Sequence, residues 1–124
     1  MESVNAERRM RRSEHQFTAL RYQLESTLKR GRMAALTLTD QCGLVLAHAG
    51  EDGICEELGA VAPVVAHGWP PEMEDTELRP DDVSVRAIDC FGEPLYLASL
   101  GGGVARDALL AHSARGIHRI LTAN

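Results

Sequence analysis

Gly101-Gly102-Gly103 joins a strand-like run to a helix-like run. Such a junction could hold a phosphate, because glycine admits close backbone approach and a helix N-terminus favours anions. A P-loop also needs a Lys-Ser/Thr pair, and Val104-Ala105 follows instead. The dinucleotide fingerprint needs a parallel strand–helix–strand unit, and no strand-like run follows the last helix. The glycines therefore read as a connection that turns the helix back onto a sheet.

Cys42, Cys55 and Cys90 are far apart in sequence, without the Cys-x-x-Cys spacing of zinc or redox sites. They read as reduced thiols beside apolar sequence. His112 and His118 are six apart on one expected helix, which puts them on different faces. Glu72, Glu74, Asp75, Glu77, Asp81 and Asp82 cluster, but lack the alternating pattern of a calcium loop. They read as a solvated acidic loop or as a docking surface for a basic partner. Ser13, Ser84, Ser99 and Ser113 lack a Gly-x-Ser-x-Gly context. No acid, base and nucleophile come together, so the expectation is a non-enzyme with no catalytic, cofactor-binding or metal-binding residues.

A chain of 124 residues with 44% hydrophobic and 25% charged residues suits one globular domain. Aromatics make up 4%, too few for base-stacking platforms, so no nucleic-acid partner is expected. The charged N-terminus and short apolar runs imply neither export nor membrane association, and a cytoplasmic location is expected. The net charge of -5 hides a split. Residues 1–32 carry eight basic and four acidic side chains, whereas residues 33–124 carry five and fourteen. Such asymmetry can guide partner choice. Arg8, Arg9, Arg11 and Arg12 are accordingly candidate interface residues, or they simply solvate a helix start.

Residues 1–12 read as a basic, frayed segment and residues 13–122 as the single domain. Phe17, Leu20, Leu24 and Leu28 recur at helical spacing, predicting a helix from about Glu7 to Lys29 with Gly31 as its C-cap. Met33–Thr39 reads as a strand, with Ala34, Leu36 and Leu38 on one face and Ala35, Thr37 and Thr39 on the other. Asp40-Gln41-Cys42-Gly43 is a turn and Leu44–Ala49 the returning strand. Glu51–His67 reads as a helix that Pro63 should kink. Glu72–Asp82 reads as an exposed loop. Val83 opens a second hairpin, turning at Phe91-Gly92-Glu93, and Leu95–Leu100 is apolar enough for a central strand. A last helix spans Ala105–Leu121. Helix, hairpin, helix, hairpin, helix implies an α+β domain with helices packed on an antiparallel sheet.

The second helix carries Ile54, Leu58, Val61 and Val65, with Trp69 just beyond. This stripe could face the sheet, or its wide arc could bury a second face against another subunit, with Trp69 as anchor. These five residues complete the interface candidates.

The run Ala34–Ala47, with its Asp40-x-x-Gly43 turn and Leu44-Val45-Leu46-Ala47 strand, resembles the opening hairpin of roadblock / dynein-light-chain domains. Glu56–Ala62 is similar to that family's acidic, Ala-rich second helix, and Leu95–Leu100 to its final strand. The resemblance covers roughly Phe17 to Leu121. It implies a roadblock/longin-like (profilin-like) sandwich, with an antiparallel sheet of four to five strands. The fifth strand would fall in the Pro-rich, acidic stretch Trp69–Asp82. The resemblance also implies a homodimer or heterodimer that regulates or scaffolds a small Ras-like GTPase or its regulatory complex, as in polarity and motility signalling. The alternative expectation is a small-molecule sensor with its ligand between sheet and helices.

Overall fold

A computed structural model describes residues 2–69 and 78–123, and the side chains of residues 2–10, 12 and 13 lie outside that description. The elements are α1 (Glu2–Gly31), β1 (Met33–Thr39), β2 (Val45–Gly50), α2 (Asp52–Val65), β3 (Val83–Cys90), β4 (Glu93–Gly101) and α3 (Arg106–Thr122). Among the described residues, four strands form one antiparallel sheet in the order β2-β1-β4-β3, and the place expected for a fifth, within Trp69–Asp82, lies largely outside them. The α+β expectation holds. β4 is central, which explains its nearly continuous apolar run.

The sheet is covered on both faces. Leu36, Leu38 and Leu97 meet Leu20 and Leu24 of α1 and Leu110 and Ile117 of α3 on one side. On the other, Ala35, Tyr96 and Ala98 meet Cys55, Leu58 and Ala62 of α2. Alternation along β1 divides its side chains between these layers. Register shifts at Met33/Ala35 and Leu38/Thr39 interrupt the ladders.

Local chemistry explains the connections. In the β1–β2 turn, the Asp40 carboxylate accepts from the backbone N–H of Cys42 at 2.8 Å and of Leu44 at 3.0 Å. Gly43 takes φ +85 there, a conformation glycine adopts without steric cost. The β3–β4 turn is tighter than expected: Cys90 pairs with Glu93, leaving only Phe91 and Gly92 in the loop. Both have positive φ, as a two-residue turn matched to strand twist requires.

Four local expectations are corrected. α1 begins at Glu2, so the segment read as frayed is helical. Arg32, not Gly31, takes the left-handed conformation after α1. Gly31 is instead needed for space, since a Cβ there would meet Met33 Cε at 2.8 Å. α2 ends at Val65 rather than His67, with Pro63 in its last turn, where only one backbone bond is forfeited. Within the acidic stretch, residues 72–77 lie outside the described residues, whereas Leu78 is buried with the α2 cluster rather than exposed.

α2 approaches the sheet most closely at Gly59, where an added Cβ would lie 2.6 Å from Val45 Cγ2 and 3.0 Å from Thr39 Cγ2. Gly59→Ala should therefore destabilise the fold by about 1–3 kcal/mol through overpacking. Gly53→Ala, at an exposed site on the same helix, should instead be neutral or stabilising by up to about 1 kcal/mol. Thermal unfolding of the two variants checks the contrast.

Candidate protein-interaction surfaces

The sheet architecture decides which side chains can meet a partner. Leu58 is fully buried between α2 and the sheet. Ile54, Val61, Val65 and Trp69 are half-buried and pack against the same cluster. The predicted stripe thus faces the domain's own core, and Leu58 cannot contact another subunit from there. The outer face of α2 shows Glu56, Glu57, Ala60 and Val64, with Val64 at 51% exposure. Ala60 and Val64 are four apart and share one helical face. Sequence reading missed Val64 because it lies outside the dominant apolar stripe.

The four arginines lie along the first three turns of α1. Arg11 is exposed, and the side chains of Arg8, Arg9 and Arg12 lie outside the described residues. They are not brought to the α2 surface, since α1 packs on the opposite face of the sheet. α1 runs antiparallel to α3, with the Gln16 side-chain amide donating to the Ile120 carbonyl at 3.5 Å. Gly116 of α3 lies directly against the Gln23 side chain. Leu20 is the first buried residue of α1 among those described.

Other apolar residues also reach solvent, Tyr22 and Val104 among them. Phe17, placed in the α1 core stripe by its spacing, is 55% exposed beside β2. It lines an open groove of about 550 Å³ with Leu28 and Leu46. Leu44 and Phe91 are 64% and 78% exposed. They occupy two hairpin turns at the same end of the sheet, because β1 and β4 pair with Thr39 opposite Tyr96. The turn signals were legible, but their shared end is set by strand pairing.

His48 Nε2 lies 2.8 Å from Asp52 Oδ1 at the start of α2, and the contact is exposed. The Cys55 thiol donates to the Ala49 carbonyl at 3.3 Å. Burial pushes this thiol up from its ordinary range, with smaller upward contributions from Asp52 and Glu51 and an opposing backbone hydrogen bond to Leu36. The neutral thiol is thus the form the fold favours. Its contribution to stability is full below the unfolded thiol's pKa and is lost as pH rises through the raised folded value. Gly101–Gly103 leads into α3, where Asp107 already occupies the first turn. Arg106 Nη1 donates to the Asp81 carbonyl at 2.9 Å, so its guanidinium is engaged in holding this connection. Among the described residues, no three His, Cys, Asp or Glu side chains converge as a metal site, and no helix is long and apolar enough to cross a membrane.

Comparison with solved structures completes the description. A structure described as MglB with a tetrameric arrangement superposes with a TM-score of 0.62 at 16% identity, covering 86% of this chain and 90% of that one. The gliding protein MglB of Thermus thermophilus gives 0.59 at 16% identity, with 88% and 93% covered. Myxococcus xanthus MglB gives 0.57 at 12% identity, with 84% and 88% covered. The chain has the roadblock/longin-like fold. No family model matches it, and no curated protein matches it in sequence. The likeness to the MglB structures extends through 84–88% of the chain.

Within this roadblock-like fold, Leu58 is a core residue. Leu58→Ala should cost about 2–5 kcal/mol of stability, from lost burial plus the cavity left behind. Denaturant unfolding measures it, and a loss below about 0.5 kcal/mol would contradict the placement. A buried, protonated thiol should also leave Cys55 unreactive in the native protein. The exposed Cys42 should react with a thiol reagent at once, and Cys55 only on unfolding. A mass-resolved labelling time course reads the order.

Proposed function

We propose that this protein is a non-enzymatic regulator or scaffold that self-associates and binds a small Ras-like GTPase or its regulatory complex. The setting would be polarity or motility control in the cytoplasm. The observation that supports this reading is the likeness to MglB structures over 84–88% of the chain. The first neighbour's tetrameric arrangement favours an assembly of more than one copy here. The filled clusters on both faces of the sheet favour protein binding over the sensor alternative, because they occupy the space between sheet and helices. The outer face of α2 is the reading's preferred self-association surface, with Ala60 admitting close approach and Val64 supplying apolar area.

Two measurements test the proposal separately. Sedimentation velocity at concentrations on the order of tens of micromolar should show a dimer or larger assembly. Val64→Glu should shift it toward monomer by placing a charge in the contact, without lowering the melting temperature. A monomeric starting protein defeats the assembly claim. Co-elution with a cognate GTPase, and a change in its nucleotide hydrolysis or exchange rate, tests the regulatory claim. No complex and no rate change would defeat it.

A further inference from the structure

Three of the five basic residues beyond residue 33 come together in one place. Arg86 on β3 and Arg115 and Arg119 on α3 line a shallow groove of about 330 Å³, joined by His118. All four are exposed. The groove exists because the helix presents Ala111 and Ala114 to the strand, side chains too small to fill the space. No carboxylate is among the described residues that line it.

This is an unfavourable arrangement for an isolated acidic protein. Residues 33–124 hold fourteen carboxylates, yet Arg86, Arg115 and Arg119 have no ion-pair partner among the described residues. Arg115 and Arg119 are four apart on one helix, where like charges repel. Arg86 adds a third charge from the strand. Guanidinium groups match carboxylates in a planar, bidentate geometry. The apolar floor would desolvate such pairs and strengthen them.

We propose that the α3–β3 groove is a docking site for an acidic segment of a protein partner, whose Asp or Glu side chains pair with Arg86, Arg115 and Arg119. Small apolar side chains between those acids would rest on the alanine floor. The site is separate from the outer face of α2, which lies on the other side of the sheet. It does not depend on the GTPase reading. It also gives the acidic stretch 33–124 a positively charged address, so that association there is steered and salt-dependent.

The experiment uses the full-length protein and a labelled synthetic peptide of alternating Glu and Ala, with a Gln-Ala peptide of equal length as control. Fluorescence anisotropy should show the Glu peptide binding at about 50 mM salt and weakening toward about 500 mM. The Gln peptide should bind at least about tenfold more weakly. The triple variant R86Q/R115Q/R119Q should lose at least about tenfold in affinity for the Glu peptide. The control variant Arg21→Gln, on α1, should retain it. The substituted arginines are exposed, so circular dichroism should show unchanged folding. Equal affinity for the two peptides overturns the proposal. So does unchanged affinity in the triple variant, or binding of a phosphorylated peptide but not of the Glu peptide.

Discussion

β1 and β4 are buried on both faces, and the rest of the molecule is organised by that constraint. A two-stranded core of this kind must be flanked by further strands and covered by helices above and below. Otherwise Leu36, Leu38 and Leu97 on one side, and Ala35, Tyr96 and Ala98 on the other, would face water. Each hairpin supplies one central and one flanking strand. α1 and α3 close one face, and α2 alone closes the other. One helix can cover that face because small side chains let it come close. At Gly59 the helix backbone rests against the Val45 and Thr39 side chains, and Gly43 lies against the Ala60 backbone.

Close packing leaves little freedom for chemistry inside. The Cys55 thiol is neutralised by burial. The His48–Asp52 pair is exposed at a helix start. What this architecture offers is surface: the outer face of α2, the projecting start of α1, two apolar hairpin turns and the arginine-lined flank of α3. The fold agrees with the MglB structures through most of its length.

Much of the fold was legible because the relevant signals are local. The spacing of Leu20, Leu24 and Leu28 announces α1, and the alternation from Ala35 to Thr39 announces β1. Asp40 and Gly43 announce the turn between β1 and β2, since one accepts backbone N–H groups and the other adopts positive φ. The errors share a cause. Phe17 continues the α1 stripe, but it lies half exposed in an open groove beside β2. Gly31 has the composition of a C-cap, but Met33 and Leu109 crowd it and Arg32 takes the turn. Leu78 lies in an acidic stretch, but it fills a gap beneath α2. In each case a contact from elsewhere in the chain overrides the local preference.

The interaction surfaces show the same division more sharply. The sequence alone determined the element order, the central place of β4 and the split between a basic start and an acidic remainder. Those follow from periodicity and composition, which act over a few neighbouring residues. Only the tertiary structure decided that Leu58 belongs to the core and Val64 to the surface, because the sheet selects one face of an apolar helix. It alone placed Arg86 beside Arg115 and Arg119, 29 and 33 residues onward in a stretch whose summed charge is negative. Charge counted along a chain averages over neighbours in sequence, whereas a partner meets neighbours in space.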